Sequence, residues 1–147
     1  MLQHKYLKIY ILYDIIKKTY LYGGIFMALH ESAEMYLETI YVLSQTQSSV
    51  RSIDVAEHMG YSKPSVCRAV GLLKNGGYLI MDKDSSLILT DEGKAVAEKI
   101  FERHTVFSKM LTSMGVSDQT ATDDACKIEH VISDETFNMI KKYFETK

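Results

Sequence analysis

A single proline, Pro64, stands among 147 residues, and this most limits what the chain can fold into. With eight glycines as the other helix breakers, long stretches are free to be helical. Pro64 itself follows Ser62-Lys63, in the first turn of a helix, where no amide partner is lost. β-rich sandwiches and collagen-like folds are excluded, and the expected class is mainly α. Apolar spacing marks a helix from Glu31 to Ser44 on Met35, Leu37, Ile40, Tyr41 and Leu43, broken by the polar run Gln45 to Ser49. Ser52 is expected to cap a short helix carrying Ile53, Val55, Ala56 and Met59, with Gly60 as its stop. Ser62 caps a third, whose inner stripe is Val66, Val70 and Leu73 and whose end is Gly76-Gly77. Tyr78 to Met81 and Leu87 to Leu89 flank the polar tip Asp82 to Ser86, a hairpin. Thr90 caps a long helix from Asp91 to about Ser113, and Ser117 and Ser133 cap two more, reaching about His130 and Phe144.

A short helix, a turn, a second helix with a capped basic N-terminus and then a hairpin is the order of a winged helix-turn-helix. In that module the second helix enters the major groove and turns its N-terminal side chains toward base edges. Ser62 to Gly76 carries Lys63, Arg68 and Lys74 and no acid, inside a chain of formal net charge −2. Whole-chain acidity argues against a general polyanion binder, whereas a local basic patch is the footprint of a specific DNA contact. Lys63, Ser65 and Arg68 share one face opposite Val66 and Val70. The expected DNA-binding residues are therefore Ser62, Lys63, Pro64, Ser65 and Arg68. Arg68 suits a bidentate pair with guanine, and Ser62 and Lys63 suit phosphate. The bland alternative is that any small helical domain exposes a few lysines.

Residues 1–26 differ in composition from the rest, with five of the ten tyrosines and four lysines against one acid, Asp14. Gly23 to Met27 can be back-translated as GGA GGA ATA TTT ATG, a purine-rich ribosome-binding sequence before a start codon. The segment therefore reads as an extension from a start site assigned too early. The alternative is a genuine amphipathic helix, because Tyr6, Ile9, Tyr13, Ile16 and Tyr20 recur at helical spacing. The four lysines and one aspartate before Met27 leave 13 basic and 18 acidic residues after it, a net of −5. The longest uncharged run, Thr19 to Leu29, is broken by Gly23-Gly24 and is shorter than the roughly 20 apolar residues of a spanning helix. No clean secretory signal precedes it, so no membrane partner and a cytoplasmic location are expected. The two cysteines, Cys67 and Cys126, cannot build a disulfide framework and each reads as a buried thiol or a metal ligand.

Cys126, Glu129 and His130 stand at i, i+3 and i+4, so one helical face offers a thiolate, a carboxylate and an imidazole. The first helix adds Met35 and Glu38, and the long fourth helix adds His104. A mixed sulfur, nitrogen and oxygen set suits Fe(II), Zn(II) or Mn(II) better than calcium or magnesium. The same spacing also fits a core thiol at Cys126, a packed Met35 and surface positions for Glu129 and His130.

Several motifs in order carry a further resemblance. They are Ala33-Glu34-Met35-Tyr36-Leu37-Glu38-Thr39-Ile40-Tyr41, Ile53-Asp54-Val55-Ala56-Glu57, Lys63-Pro64-Ser65-Val66, Leu87 through Gly93, Arg103-His104 and Asp124 through Asp134. From about Ala33 to Phe144 the chain resembles the diphtheria toxin repressor family of metal-dependent transcriptional repressors, which includes the manganese transport regulators. The resemblance implies a winged helix-turn-helix DNA-binding domain over 27–90 and a helical metal-binding and dimerisation domain over 91–147. It implies a homodimer that binds a palindromic double-stranded operator when loaded with metal, a repressor of metal uptake genes and not an enzyme. It places the activating metal site at Met35, Cys126, Glu129 and His130. Methionine and cysteine at the two discriminating positions resemble iron-responsive members, so Fe(II) is preferred and Mn(II) is the alternative. The ancillary site of the iron type keeps only His104 here, because Ser108 and Thr122 replace its other ligands. Glu38 matches a carboxylate of the manganese-type binuclear site, so Glu38 and His104 with Glu129 form a candidate second site. The length resembles the short class without an SH3-like third domain.

Two other functions compete on the residues alone. A winged-helix regulator sensing a small molecule or an oxidant through Cys126 would use no metal. A metallohydrolase with Glu129 as base lacks an HExxH run and the convergent polar groups of a substrate site.

Overall fold

Helix α1 spans residues 30–44, and α2 (Ser52–Met59) and α3 (Lys63–Asn75) follow it as the helix-turn-helix pair. The computed structural model describes residues 30–146, and both readings of residues 1–26 lie outside the described residues. Gly60 ends α2 in the left-handed region at φ 67°, which lets the chain turn sharply into α3. At the start of α3 the Ser62 hydroxyl accepts from the Ser65 amide and Pro64 sits in the first turn, as its missing amide allows. The cap of α2 is a correction to the sequence reading. Ser52 lies inside the helix, and Asp54 instead accepts from the Arg51 amide at 2.7 Å.

Strands β1 (Leu79–Met81) and β2 (Leu87–Leu89) form the antiparallel wing, with Leu79 opposite Leu89, Ile80 opposite Ile88 and Met81 opposite Leu87. Alternation turns Leu79 and Leu87 inward and leaves Ile80 and Ile88 exposed. The wing is tied to the loop after α1 by the Leu87 amide donating to the Val50 carbonyl at 2.7 Å. Asp82 closes its tip by accepting from the amides of Asp84 and Ser86.

Helix α4 (Asp91–Ser113) starts directly against the wing. Thr90 caps it, accepting from the Gly93 amide, while its own hydroxyl donates to the Gly77 carbonyl at 2.7 Å. Gly93 is buried here, and a β-carbon at that position would lie 1.9 Å from the Tyr78 carbonyl oxygen. Helices α5 (Asp118–Ile128) and α6 (Asp134–Glu145) complete the chain. Ser133 caps α6 by accepting from the Thr136 amide, whereas the Ser117 hydroxyl donates to the Thr120 hydroxyl and caps no amide of α5.

Residues from Ala33 onward form one compact unit containing two apolar clusters. The larger unites Leu37, Ile40 and Leu43 of α1 with Val55, Val66, Val70, the wing leucines and Ala97 of α4. The smaller holds Phe107, Ala125 and Phe137, with Phe107 and Phe137 rings 5.8 Å apart. Because α1 and α3 share one close-packed core, a shift of either is felt by the other. Among the described residues no helix is long and apolar enough to cross a membrane.

Candidate metal centre

Glu129 is the most deeply buried ionisable side chain among those described, at 0% exposure. This corrects the bland reading of Glu129 as a surface residue. An ionised carboxylate is stable in such a place only when paired and hydrogen-bonded, and three elements supply its neighbours. Helix α4 brings His104, whose Nδ1 donates to Glu129 Oε2 at 2.8 Å. The turn after α5 brings His130, with Nε2 3.2 Å from Glu129 Oε1. Helix α1 brings Glu38 and Glu34, and Glu34 Oε2 accepts from His130 Nδ1 at 2.9 Å.

The ligand atoms form two groups joined at Glu129. Cys126, Glu129 and His130 make one, and Glu38, His104 and Glu129 make the other, each with donor atoms within 4.8 Å of one another. Cys126 sits in the last turn of α5, and Glu129 caps that helix with right-handed backbone angles, its amide donating to the Ala125 carbonyl. The helical spacing read from the sequence therefore persists one residue past the end of α5. Met35 is half-buried and lines a cleft of 370 Å³ together with Glu38, His104 and Cys126. Thr122 lines the same cleft.

The charges are strongly coupled. Burial alone would raise the Glu129 carboxyl, but hydrogen bonds and charge from His104 and His130 outweigh it and hold the group below the usual range. Burial pushes Glu38 up, and the neighbouring Glu129 charge adds to this, to about 7. The hydrogen bond to Glu129 raises His104 against the opposing effect of burial. For His130 burial acts downward, yet contacts with Cys126, Glu129 and Glu34 carry it up to about 11.

The donor set fits a borderline divalent transition ion. Glu129 Oε1 and His130 Nε2 face one another as a buried ion pair 3.2 Å apart, and neither atom makes a well-aligned hydrogen bond among the described residues. Native interiors seldom leave such atoms unsatisfied unless a water or an ion belongs between them. Thiol, imidazole and carboxylate together match Fe(II), Mn(II) or Zn(II).

Two residues of this region carry no obvious local signal in the sequence. Glu34 is one; its only cue is its place four residues before Glu38 on the same face of α1. Arg103, buried beside His104, is the other. It donates to the carbonyl oxygens of Glu129 and Ile132 at 2.8 and 2.9 Å, pairs with Asp134, and lies 5.5 Å from the Phe137 ring centroid.

The DNA-reading residues expected on α3 are all exposed. Ser62, Lys63, Pro64, Ser65 and Arg68 lie at the surface, with Val66 and Val70 on the buried side. Cys67 is also exposed, so it is neither a buried thiol nor part of either ligand group. Val106, Met110, Phe137 and Ile140 all belong to the smaller apolar cluster. Phe137 is core, the other three pack against it, and Met139 and Tyr143 of α6 are the exposed large apolar residues there.

Comparison with known proteins agrees with this architecture. Residues 28–87 match the family model for the iron dependent repressor N-terminal DNA binding domain, and residues 90–146 match its metal binding and dimerisation domain. The chain is 31% identical over 113 residues to the diphtheria toxin repressor of Corynebacterium diphtheriae, covering 76% of this chain and 50% of that one. It is 35% identical over 102 residues to the HTH-type transcriptional regulator MntR of Bacillus pumilus, covering 69% of this chain and 71% of that one. The manganese regulator SloR superposes with a TM-score of 0.71 at 25% identity, over 78% of this chain and 54% of that one. The chain thus spans about half the length of the diphtheria toxin repressors it matches.

Proposed function

Because the chain belongs to the iron-dependent repressor family, we propose that it is a metal-dependent repressor that binds operator DNA as a homodimer. Its family is one of transcriptional regulators and not of enzymes. In this reading residues 27–90 bind DNA and residues 91–147 bind metal and dimerise. The protein acts in the cytoplasm on a palindromic operator of metal uptake genes. One observation carries the proposal: the buried Glu129, flanked by His104 and His130, lies against the face of α1 that bears Glu38.

Met35, Cys126, Glu129 and His130 would hold the activating ion, and Glu38, His104 and Glu129 a second. An ion bound there supplies positive charge and directional bonds to the buried carboxylate, imidazole and sulfur donors. The chain's own residues do the rest. Met35 and Glu38 belong to α1, so ligation ties α1 to α4 and α5. Leu37, Ile40 and Leu43 of α1 pack with Val66 and Val70 of α3, so fixing α1 fixes the recognition helix. Two such helices must meet successive major grooves about 34–36 Å apart, which a clamped dimer satisfies. On α3, Arg68 reads a base, and Ser62, Lys63, Pro64 and Ser65 set the helix N-terminus against phosphate.

Fe(II) is the preferred ion, supported by the sulfur donors Met35 and Cys126. Mn(II) is the second reading, favoured by the oxygen-rich group of Glu38 and Glu129 with His104. Anaerobic selection from random duplexes tests both, with chelated protein and then with Fe(II) or Mn(II) at equal free concentration and fixed salt. The proposal expects selected sequences only with metal, and stronger retention with Fe(II). Equal selection with and without metal would refute metal dependence.

A further inference from the structure

We infer that Glu34 is a positioning residue that holds the His130 ring for metal and makes the placement of α1 a condition of high metal affinity. This deepens the proposed function and rests on it. Glu34, at 9% exposure, is one of three buried charged residues described, with Glu129 and Arg103. Its carboxylate accepts from His130 Nδ1 at 2.9 Å across 96 positions of sequence. With Nδ1 engaged there, Nε2 is the ring edge turned toward Glu129 Oε1 and the ligand cluster. Histidines that bind metal commonly donate their other N–H to a carboxylate, which fixes the tautomer and makes the ligand nitrogen more basic.

The geometry of α1 adds the coupling. Glu34 and Glu38 are one helical turn apart, so they share a face. Glu38 meets His104 and Glu129 while Glu34 holds His130, so the same face grips both ligand groups. A hydrogen bond weakens steeply with misalignment, so a shift of α1 by about an ångström frees the ring. The position of α1 that orients His130 is therefore the one that its packing against α3 links to the DNA-binding module.

The test uses the full chain and Co(II), titrated anaerobically and followed by absorption, in wild type, Glu34→Gln and Glu34→Ala. Glutamine keeps an acceptor for Nδ1 and loses the charge, so Co(II) affinity is expected to fall by about 10-fold. Alanine removes both, and a fall of about 100-fold is expected. Nitrogen–proton correlation spectra of the Zn(II)-loaded wild type should report His130 protonated at Nδ1, with that signal lost or mixed in Glu34→Ala. A purely structural role for Glu34 would lower apo-protein stability without moving the tautomer. Equal Co(II) affinity in wild type and Glu34→Gln, or a wild-type His130 protonated at Nε2 when loaded with Zn(II), would overturn the assignment alone. A wild type that takes up neither ion overturns the proposed function, and this inference with it.

Discussion

Arg103 donates from its buried guanidinium to the main-chain carbonyl oxygen of Glu129 at 2.8 Å, tying the backbone of a candidate ligand to the helix that carries His104. A second bond to the Ile132 carbonyl and the Phe137 ring below hold the turn between α5 and α6. Arg103→Met keeps the aliphatic volume and strips the donors. It should destabilise the fold by about 1–3 kcal/mol for each carbonyl left buried without a partner. Urea unfolding checks this, and a change within about 0.5 kcal/mol of wild type would show that water satisfies those carbonyls.

Asp134 completes the same arrangement at the start of α6 and makes stability sensitive to acid. A hydrogen bond from Lys99, and with it Arg103, holds its carboxyl below the usual carboxylate range. The folded state therefore binds fewer protons at this group than the unfolded state. The stabilisation is complete above the unfolded value of about 3.9 and disappears as pH falls through the lower folded value. Asp134→Asn should be less stable than wild type at neutral pH and converge with it at strongly acid pH. A constant difference between the two unfolding curves from neutral to acid pH would contradict this.

Gly93 should accept no side chain. Even alanine would place its β-carbon 1.9 Å from the Tyr78 carbonyl oxygen, and backbone yields less readily than a flexible side chain. Gly93→Ala is expected to lower stability by at least the 1–3 kcal/mol typical of overpacking, that is by about 1–3 kcal/mol or more. Thermal unfolding of the variant measures it, and an unchanged midpoint would mean that the wing moves freely relative to α4.

Much of this architecture is legible in the sequence, because its elements are local. The helical spacing of Leu37, Ile40 and Leu43, the Ser62 cap and Pro64 announce α1 and α3 within a few residues of themselves. Cys126, Glu129 and His130 announce a candidate site for the same reason, since the last turn of α5 and the two residues that follow it gather all three. What sequence does not announce is pairing at a distance. Glu34 meets His130 across 96 positions, and Arg103 is buried although arginine is usually exposed. Ser52 misled because Asp54 accepts the Arg51 amide instead, and Cys67 misled because a small thiol on an amphipathic helix fits either face.

The contacts proposed for the exposed face of α3 are of two kinds. Arg68→Ala should relax recognition at one base position by about 1–3 kcal/mol. Lys63→Ala should weaken every duplex alike and reduce the salt slope of binding by about 1. Operator affinities measured across a salt series and a set of single-base variants distinguish them. Uniform weakening by Arg68→Ala would make it a phosphate contact.

The central claim is that metal and operator bind one arrangement of α1 against α4 and α5. Reciprocity then requires that each tighten the other by the same factor, typically about 5- to 150-fold. The direct measurement is the Fe(II) dissociation constant of the full chain, taken anaerobically at fixed salt, free and bound to its selected operator duplex. The account predicts tighter Fe(II) binding on the operator, by the factor with which Fe(II) tightens the operator itself. The same Fe(II) affinity with and without the duplex would contradict it.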